Sequence, residues 1–553
     1  MTNKIPGGVP TAYQDTFASD HLPPADALPE FDFTGTPELA AYADHMNVAA
    51  ELLDNAIGQG FGDNAVTHLV DISWTYRELL DRANRIAEVL TEDCGLVTGN
   101  RVLLRAPNTP MLVAAWFGVL KAGGICVTTM PLLRARELQY AIEKAEVSIA
   151  LCDADLAEEM QGALELTSSI NHTLYFSKAG SGGEAATLET ACDAKSGQFE
   201  TVNTAADDVA LIAFTSGTTG QPKGAMHFHR DVMATADTFG RYVGTLTPKD
   251  IVTGTPPIAF TFGLGGLTIF PMRFGASTRF LESPFPDHIL ESIQKYKITQ
   301  IYTAPTAYRA MADMIDDYDI SSLRQGISAG ETLPGATWEA FHKATGIRLI
   351  DGLGSTELFH IFVSAAPEDM RAGFTGKAIP GFRARVVDDD DNEVPAGTPG
   401  QLSVQGPTGC KYLGDPDRQP IYVKKGWNYP GDIYEMDADG YFKYVARADD
   451  MIISSGYNIS GPEVENVLLE HEAVAECAVI AAPDPDRGNI VKAFIVLRDG
   501  FDGDDILVKT LQDFVKNEIA PYKYPRAISF IEELPKTQTG KLQRFRLRDL
   551  ETP

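Results

Sequence analysis

Basic residues are scarce in this chain of 553 residues: 46 Lys and Arg stand against 76 Asp and Glu, a formal net charge of −30. A surface this acidic repels the phosphates of nucleic acids and anionic lipids, so neither is expected as a partner. Anionic substrates would need a local positive site, so the few well-placed Lys and Arg residues matter most for function.

Cysteines and long apolar stretches are also few. The best apolar run, Leu112 to Leu120, stops at Lys121, well short of the roughly 20 residues that a membrane span needs. The N-terminus lacks the apolar core of a signal peptide, so we expect a soluble, cytoplasmic protein without a membrane partner. The six cysteines are scattered without metal-site spacing, which predicts small buried residues in a reducing compartment. They are Cys94, Cys126, Cys152, Cys192, Cys410 and Cys477.

Strand and helix patterns alternate along most of the chain. Apolar residues fall at helical spacing at 47–57 and 75–90, and short β-rich runs follow them. This alternation predicts an α/β fold with largely parallel sheets. The first 45 residues show no sustained period and are expected to form an extended arm lying on a domain.

The predicted secondary structure changes toward the C-terminus. Short strands separated by Asp, Gly and Pro turns predict a small β-rich subdomain at about 382–445. A helix and strand pattern then restarts, which predicts a compact α+β module. We therefore expect an N-terminal domain at 1–448 and a C-terminal domain at 449–553.

The most informative segment is 211–224. An apolar strand runs into a series of hydroxyl residues and glycines, and Lys223 follows. Glycines let backbone N–H groups turn inward as an anion nest, hydroxyls add donors, and the lysine adds a point charge. This pattern predicts a polyphosphate site. It is not a Walker loop, because that template would need glycine where Pro222 stands.

The segment resembles the phosphate-binding signature of the acyl-adenylate-forming enzymes, the AMP-binding superfamily of CoA ligases, adenylation domains and luciferases. Five further signatures follow in that family's order: Ser328–Glu331, Asp351–Glu357, Tyr429–Asp432, Arg447–Asn458 and Pro535–Lys541. The resemblance implies a large N-terminal domain of layered α/β sheets plus a small β-barrel, with a small mobile α+β C-terminal domain. It also implies ATP, Mg²⁺ and CoA as reaction partners.

The resemblance implies roles for individual residues. Three are expected to be catalytic: Lys541 bridges the substrate carboxylate and the α-phosphate, Thr356 contacts the adenylate phosphate, and Glu357 binds the metal. Mg²⁺ prefers carboxylate plus phosphate oxygens, which suits Glu357. Asp432 and Arg447 resemble the ribose contacts. The predicted ATP- and AMP-binding residues are Thr215, Ser216, Gly217, Thr218, Thr219, Gly220, Lys223, Gly330, Glu331, Asp351, Gly352, Gly354, Ser355, Asp432 and Arg447.

The lid domain is expected to serve two half-reactions. Asp449 resembles the hinge on which the lid turns, and Ser455, Gly456 and Tyr457 resemble the loop that faces CoA. Reuse of one site by domain rotation is a known mode of switching.

The acyl pocket is expected to have aromatic walls opposite glycines. Such a pocket is a flat, short slot that suits one ring better than a long alkyl chain. The run 352–362 resembles the benzoate-CoA ligase branch, and 225–231 and 130–138 are most similar to 2-aminobenzoate-CoA ligases. His360 or Thr261 could bind a 2-amino group, although a histidine is more often a core residue. The predicted lining is Phe260, Thr261, Phe262, Gly263, Ala329, Leu353, His360 and Ile361.

The sequence therefore predicts an AMP-forming aromatic acid–CoA ligase that activates 2-aminobenzoate or benzoate. Three alternatives stay open: an adenylation enzyme that loads a carrier protein, a short- or medium-chain acyl-CoA ligase, and a non-catalytic nucleotide-binding protein. The intact charged residues of the signatures disfavour the last. The oligomeric state is open, with a homodimer among the options.

Overall fold

The computed structural model describes residues 9–180, 182–183, 186–215, 222–448, 450–454, 457–484, 488–519, 521–536 and 542–551. Its strands are β1 Ala65–Leu69, β2 Ile72–Thr75, β3 Arg101–Arg105, β4 Ile125–Thr129, β5 Ile149–Asp153, β6 His172–Phe176, β7 Val209–Thr215, β8 Lys223–Phe228, β9 Ile251–Gly254, β10 Ser277–Arg279, β11 Gln300–Thr303, β12 Gln325–Ala329, β13 Ile350–Gly354, β14 Ile361–Ser364, β15 Lys377–Ala378, β16 Arg383–Val387, β17 Gly400–Gln405, β18 Val423–Lys424, β19 Trp427–Asn428, β20 Asp432–Met436, β21 Phe442–Arg447, β22 Ile452–Ser454, β23 Tyr457–Ile459, β24 Val474–Asp484, β25 Gly488–Leu497 and β26 Ala527–Phe530. Its α-helices are α1 Phe17–Asp20, α2 Pro37–Ala40, α3 Asn55–Gly58, α4 Tyr76–Glu88, α5 Pro110–Lys121, α6 Ala135–Lys144, α7 Ala157–Leu166, α8 Thr187–Asp193, α9 His229–Thr235, α10 Thr261–Leu264, α11 Phe270–Arg273, α12 Pro286–Tyr296, α13 Pro305–Ala312, α14 Gly335–Thr345, α15 Gln419–Tyr422, α16 Gly461–Glu470, α17 Asp505–Glu518 and α18 Arg544–Asp549.

Two large sheets form the N-terminal part. One has nine strands in the order β15-β14-β13-β12-β11-β9-β10-β1-β2, and the other has six in the order β6-β5-β3-β4-β7-β8. Most neighbours within them are parallel, with helices between successive strands. The predicted α/β architecture is confirmed.

A third sheet and two smaller ones follow. Strands β16 to β21 form a six-stranded antiparallel sheet where the small β-barrel was expected, and closure of this sheet into a barrel stays a prediction. The later strands form a two-stranded sheet, β22-β23, and a three-stranded sheet, β24-β25-β26, packed with α16 and α17. A large N-terminal part and a smaller C-terminal α+β part are therefore present, and the boundary at 448/449 stays a prediction.

The apolar run at 112–120 is a core helix. All residues of α5 are buried, and the Thr109 hydroxyl accepts the Leu112 N–H at the helix start. Lys121, at the last turn, is completely buried and donates to the Asp54 carboxylate at 2.7 Å. No helix in the described part of the chain is long and apolar enough to cross a membrane. All six cysteines are buried and unpaired by disulfides, as expected.

Residues 9–45, the described portion of the predicted N-terminal arm, contain two short helices, α1 and α2, and contact the second large sheet. The Tyr13 hydroxyl donates to the Val209 carbonyl at 2.8 Å, which fixes the arm to β7. The Ala12 N–H donates to the Asp208 carboxylate at 3.0 Å, and Phe31 pairs with Gly406 beside the third sheet. The arm thus bridges the second and third sheets behind the β7–β8 hairpin.

Candidate active site

The ends of two parallel strands bring two of the predicted signatures together. Strands β12 and β13 pair in register, with Ser328 opposite Asp351 and Ala329 opposite Gly352. The carboxyl ends of parallel strands share one edge of a sheet, where open α/β proteins bind ligands. The residues that follow Ala329 and those that follow Gly354 therefore lie side by side.

The return strand β14 brings two predicted acyl residues, His360 and Ile361, to the same edge. Gly354 pairs with Ile361, and a Cβ on Gly354 would lie 2.7 Å from the His360 carbonyl oxygen. A Cβ on Gly352 would lie 2.4 Å from Ile361 Cδ1. Only glycine allows this close approach of the two strands.

A tight turn at 355–359 connects these strands. The Ser355 hydroxyl accepts the Leu358 N–H at 3.3 Å and also hydrogen-bonds the Tyr422 hydroxyl at 2.9 Å. Phe359 has φ +74°, a strained backbone conformation for a bulky residue. Its buried ring packs edge-on against His227, with 5.1 Å between centroids. The Ser355–Tyr422 hydrogen bond and the Phe359–His227 ring contact thus fix both ends of the turn that carries Thr356 and Glu357.

Strands β7 and β8, which flank the predicted phosphate loop in the sequence, pair antiparallel with Thr215 opposite Lys223. The predicted residues Ser216, Gly217, Thr218, Thr219 and Gly220 lie outside the described residues. Lys223 is half-buried, and its Nζ lies 5.3 Å from the centre of the Tyr412 ring. The Tyr412 hydroxyl donates to Glu357 Oε1 at 2.6 Å. The base of the loop and the predicted metal ligand therefore meet around Tyr412.

These residues fit a magnesium ion that is held together with a nucleotide. Among the described residues, no group of three or more His, Cys, Asp or Glu could hold a metal ion. A single carboxylate beside a phosphate loop is the donor set that Mg²⁺ uses when phosphates and waters complete its shell. Glu357, with one oxygen already hydrogen-bonded to Tyr412, provides that carboxylate.

The two predicted ribose contacts form a pair. Asp432 and Arg447 are opposite each other on β20 and β21, and Arg447 Nη1 lies 3.1 Å from Asp432 Oδ1. The same nitrogen donates to the Pro430 carbonyl at 3.0 Å. Asp432 is buried while Arg447 is half-exposed, so the carboxylate orients the guanidinium at the rim of the site.

Asp351 lies in a cavity on the adenine side of the expected site. Burial raises the pKa of its carboxyl to about 8, although the Gly352 N–H and the Thr375 hydroxyl bind it. Helix α16 of the C-terminal part also borders this cavity, so both parts of the chain contribute to it. The lining includes Thr332, Leu333, Asp351, Thr375, Tyr444, Pro462 and Asn466.

Two of the predicted acyl residues, Phe262 and His360, lie in an aromatic cluster with Phe270, which was not predicted. The His360 ring lies 4.6 Å from the ring of Phe270 and 5.5 Å from that of Phe262. Its Nε2 is 3.3 Å from the Phe262 carbonyl oxygen. Burial lowers the pKa of His360 to about 3, so the imidazole is neutral at physiological pH.

The chain next to this cluster is fixed by Asn108. The Asn108 side chain donates to the Pro256 carbonyl at 2.9 Å and accepts the Ile258 N–H at 2.7 Å. Phe260 follows, half-buried, and α10 begins at Thr261. A Cβ on Gly263 would lie 2.2 Å from the Pro257 carbonyl oxygen. Ala329 and Leu353, at the ends of β12 and β13, complete the predicted set.

Four other predicted residues lie outside the described residues: Lys541, Asp449, Ser455 and Gly456. Tyr457 begins β23 and pairs with Ser454. Sequence reasoning missed Tyr412 and Tyr422, which hydrogen-bond Glu357 and Ser355. Tyr412 stands between Lys411 and Leu413, and nothing in that local sequence indicates a role in the site.

Comparison with known proteins identifies the family of this chain. The family model of AMP-binding enzymes matches residues 55–412, and that of the AMP-binding enzyme C-terminal domain matches residues 463–541. The chain therefore belongs to the AMP-binding enzyme family.

The relatives support the benzoate–CoA ligase branch within that family. The benzoate–CoA ligase of Thauera aromatica is 34% identical over 527 residues, which cover 94% of this chain and 98% of that protein. The solved structure of the anthranilate CoA ligase AuaEII with anthranoyl-AMP superposes with a TM-score of 0.87 at 32% identity, and covers 93% of this chain and 98% of that one. Human mitochondrial acyl-coenzyme A synthetase ACSM3 is 33% identical over 492 residues, 87% of this chain and 84% of that protein.

Proposed function

We propose that this protein is an AMP-forming aromatic acid–CoA ligase that activates 2-aminobenzoate, with benzoate as the alternative acid. The observation that carries the proposal is the tight turn at 355–359. It joins Thr356 and Glu357 to His360, which lies within the aromatic cluster. Tyr412 connects Glu357 to Lys223, the first residue of β8. One short segment thereby serves both the nucleotide and the acid.

The first half-reaction forms an acyl adenylate. A carboxylate oxygen of the acid attacks the α-phosphorus of ATP, the bond to the β-phosphate oxygen breaks, and pyrophosphate leaves. Such transfers depend on positioning and charge stabilisation, so the chain needs no nucleophile of its own. We assign Thr356 to the phosphate and Lys541 to the charge that develops between carboxylate and phosphate. Mg²⁺ held by Glu357 would neutralise phosphate charge.

The second half-reaction transfers the acyl group. The CoA thiol loses its proton and attacks the acyl carbon, AMP leaves, and a thioester forms. We assign Asp449 as the hinge for the domain rotation between the two steps, and residues 455–457 as the loop on the CoA side. The cavity shared by Asp351 and α16 supports a lid that contacts the nucleotide side of the site.

Nucleotide binding is assigned to three further contacts. The Asp432–Arg447 pair would accept from and donate to the ribose hydroxyls. Gly330 and Glu331 follow β12 and border the adenine side. A carboxyl at Asp351 that keeps its proton near pH 7 could donate a hydrogen bond to a ring nitrogen of adenine.

The preference for a 2-amino substituent rests on His360. Its Nε2 faces the Phe262 carbonyl, so in the neutral ring this nitrogen carries the hydrogen and Nδ1 is an acceptor. His360 is 3% exposed, and Nδ1 has no hydrogen-bond partner among the described residues. A buried acceptor without a donor is costly, and an aromatic amine would supply one.

The test is release of pyrophosphate and AMP from Mg-ATP with benzoate, 2-aminobenzoate, 4-hydroxybenzoate, butyrate and octanoate, with and without CoA. Highest kcat/KM with 2-aminobenzoate, and AMP release that needs CoA, would support the proposal. Leading activity with butyrate or octanoate would assign a short- or medium-chain acyl-CoA ligase instead. An adenylate that free CoA never discharges would assign a carrier-loading enzyme.

A further inference from the structure

We propose that Tyr412 is a positioning residue that holds the Glu357 carboxylate in place to bind the metal near Lys223, at the start of β8. The inference rests on the metal role that the proposed function gives to Glu357. The contacts that support the inference are those of Tyr412 with Glu357 and with residues of the β7–β8 hairpin. They do not depend on which acid the enzyme uses.

The contact between the two side chains is short and buried. The Tyr412 hydroxyl donates to Glu357 Oε1 at 2.6 Å, and Tyr412 is only 1% exposed. An ionised carboxylate has no hydrogen to give, so the phenol hydroxyl is the donor in this contact. A donor on one oxygen orients the carboxylate, as partners of metal ligands commonly do.

The backbone holds Tyr412 beside β8. The Met226 N–H donates to the Lys411 carbonyl and the Leu413 N–H donates to the Gly224 carbonyl, both at 2.8 Å. Segment 411–413 therefore runs alongside the strand that begins with Lys223. Because side chains alternate along an extended chain, Lys411 and Tyr412 point to opposite sides.

The opposite side of this segment is anchored by an ion pair. Lys411 Nζ lies 2.7 Å from Asp231 Oδ2, and both side chains are completely buried. The Lys411 ammonium also lies 4.5 Å from the centre of the Phe228 ring. Separating the two charges would leave each of them buried without a partner, which is strongly unfavourable. The ion pair therefore holds segment 411–413 against β8 and α9.

Two further contacts fix the Tyr412 ring. Tyr422 packs edge-on at 5.9 Å between ring centroids, and its own hydroxyl hydrogen-bonds Ser355 in the same turn as Glu357. Lys223 Nζ lies 5.3 Å from the ring centre, a cation–π distance. Tyr412 thus contacts both the loop lysine and the predicted metal carboxylate.

The experiment measures Mn²⁺ binding, as a spectroscopic substitute for Mg²⁺, to the full chain saturated with a non-hydrolysable ATP analogue. Electron paramagnetic resonance gives the fraction of free Mn²⁺ at each addition. Tyr412→Phe removes only the hydroxyl and keeps the ring under Lys223. We expect Mn²⁺ to bind about tenfold more weakly, while binding of the analogue without metal is unchanged.

Two other variants make the result specific. Tyr76→Phe is the matched control, because Tyr76 is also fully buried and its hydroxyl donates to the Ala276 carbonyl at 2.9 Å. It should bind Mn²⁺ as the unmodified protein does. Glu357→Gln should weaken Mn²⁺ binding more than Tyr412→Phe does.

Unchanged Mn²⁺ affinity in Tyr412→Phe would overturn the inference, as would unchanged affinity in Glu357→Gln. A loss in Tyr76→Phe equal to that in Tyr412→Phe would also overturn it, since the effect would then follow any buried hydroxyl. Failure of every aromatic acid in the turnover assay would reject the proposed function without altering these binding constants.

Discussion

Asp432 and Arg447 face each other across the antiparallel strands β20 and β21, with 3.1 Å between Oδ1 and Nη1. Gly431, the residue before Asp432, leaves room for the Arg447 guanidinium. Gly431 has φ +84°, and a Cβ there would lie 3.0 Å from Arg447 Nη2. The glycine therefore allows both the turn and the orientation of the guanidinium.

Gly431→Ala should displace Arg447 and weaken ATP binding. Loss of one charge-assisted hydrogen bond corresponds to a rise in the KM for ATP of roughly tenfold. Gly440→Ala is the matched control, because Gly440 has the same φ of +84° but no atom within 4 Å of the added Cβ. Both variants should lose similar stability through backbone strain, measured as Tm. Equal KM values for ATP in the two variants would contradict a role for the Asp432–Arg447 pair.

Asp351 should make stability depend on pH. Burial raises its folded-state pKa from 3.8 to about 8, so between these values the folded chain holds a proton that the unfolded chain releases. Stability therefore falls as pH rises through this window and levels off above it.

Asp351→Asn, which cannot ionise, should lose this dependence. Its Tm relative to the unmodified protein should rise steadily between about pH 4 and pH 8. The measurement is thermal unfolding of both proteins across that range. A difference in Tm that is constant with pH would show that Asp351 ionises normally in the folded protein.

Phe262 should limit the size of the acid. Its half-buried ring packs between Tyr302, at 5.9 Å, and His360, at 5.5 Å. Phe262→Ala should open space and raise kcat/KM for 4-alkylbenzoates or octanoate relative to benzoate by roughly tenfold. Phe61→Ala, at a half-buried ring packed on Tyr76, is the control. An unchanged acid profile in Phe262→Ala would remove this residue from the pocket.

Much of the fold follows from local sequence pattern. Alternating helix and strand periods predicted the α/β sheets. The apolar run at 112–120 is too short to span a membrane, and it forms the buried helix α5. The hairpin that presents Lys223 lies where an apolar strand met glycines and hydroxyls. In each instance the signal lay within about 15 consecutive residues, the range over which periodicity is informative.

The features that sequence did not predict depend on distant contacts. Tyr412 and Glu357 are 55 positions apart, and only the path of the chain past β8 brings them together. The raised pKa of Asp351 results from burial by several elements, and the strained φ of Phe359 from packing on His227. Neither burial nor backbone strain at a non-glycine residue is visible in a local pattern.

Lys541 is predicted to serve only the first half-reaction. A cation that stabilises charge between the carboxylate and the α-phosphate speeds adenylation, whereas we propose that thioester formation uses a second lid orientation. Lys541→Ala should therefore slow pyrophosphate release by about 100-fold or more. The same variant, given chemically prepared acyl-AMP and CoA, should form thioester at nearly the unmodified rate.

The control for this variant is Lys536→Ala, in the same signature segment. Lys536 lies 2.6 Å from the Glu476 carboxylate within the C-terminal part, so its charge is already paired there. It should leave pyrophosphate release within a few-fold of normal, because loss of a partly exposed ion pair changes stability by about 1 kcal/mol or less. If Lys541→Ala slowed both half-reactions equally, the lysine would act on the fold or on acyl-AMP binding. Since the two assays share the same protein and differ only in the substrate supplied, their ratio separates these explanations.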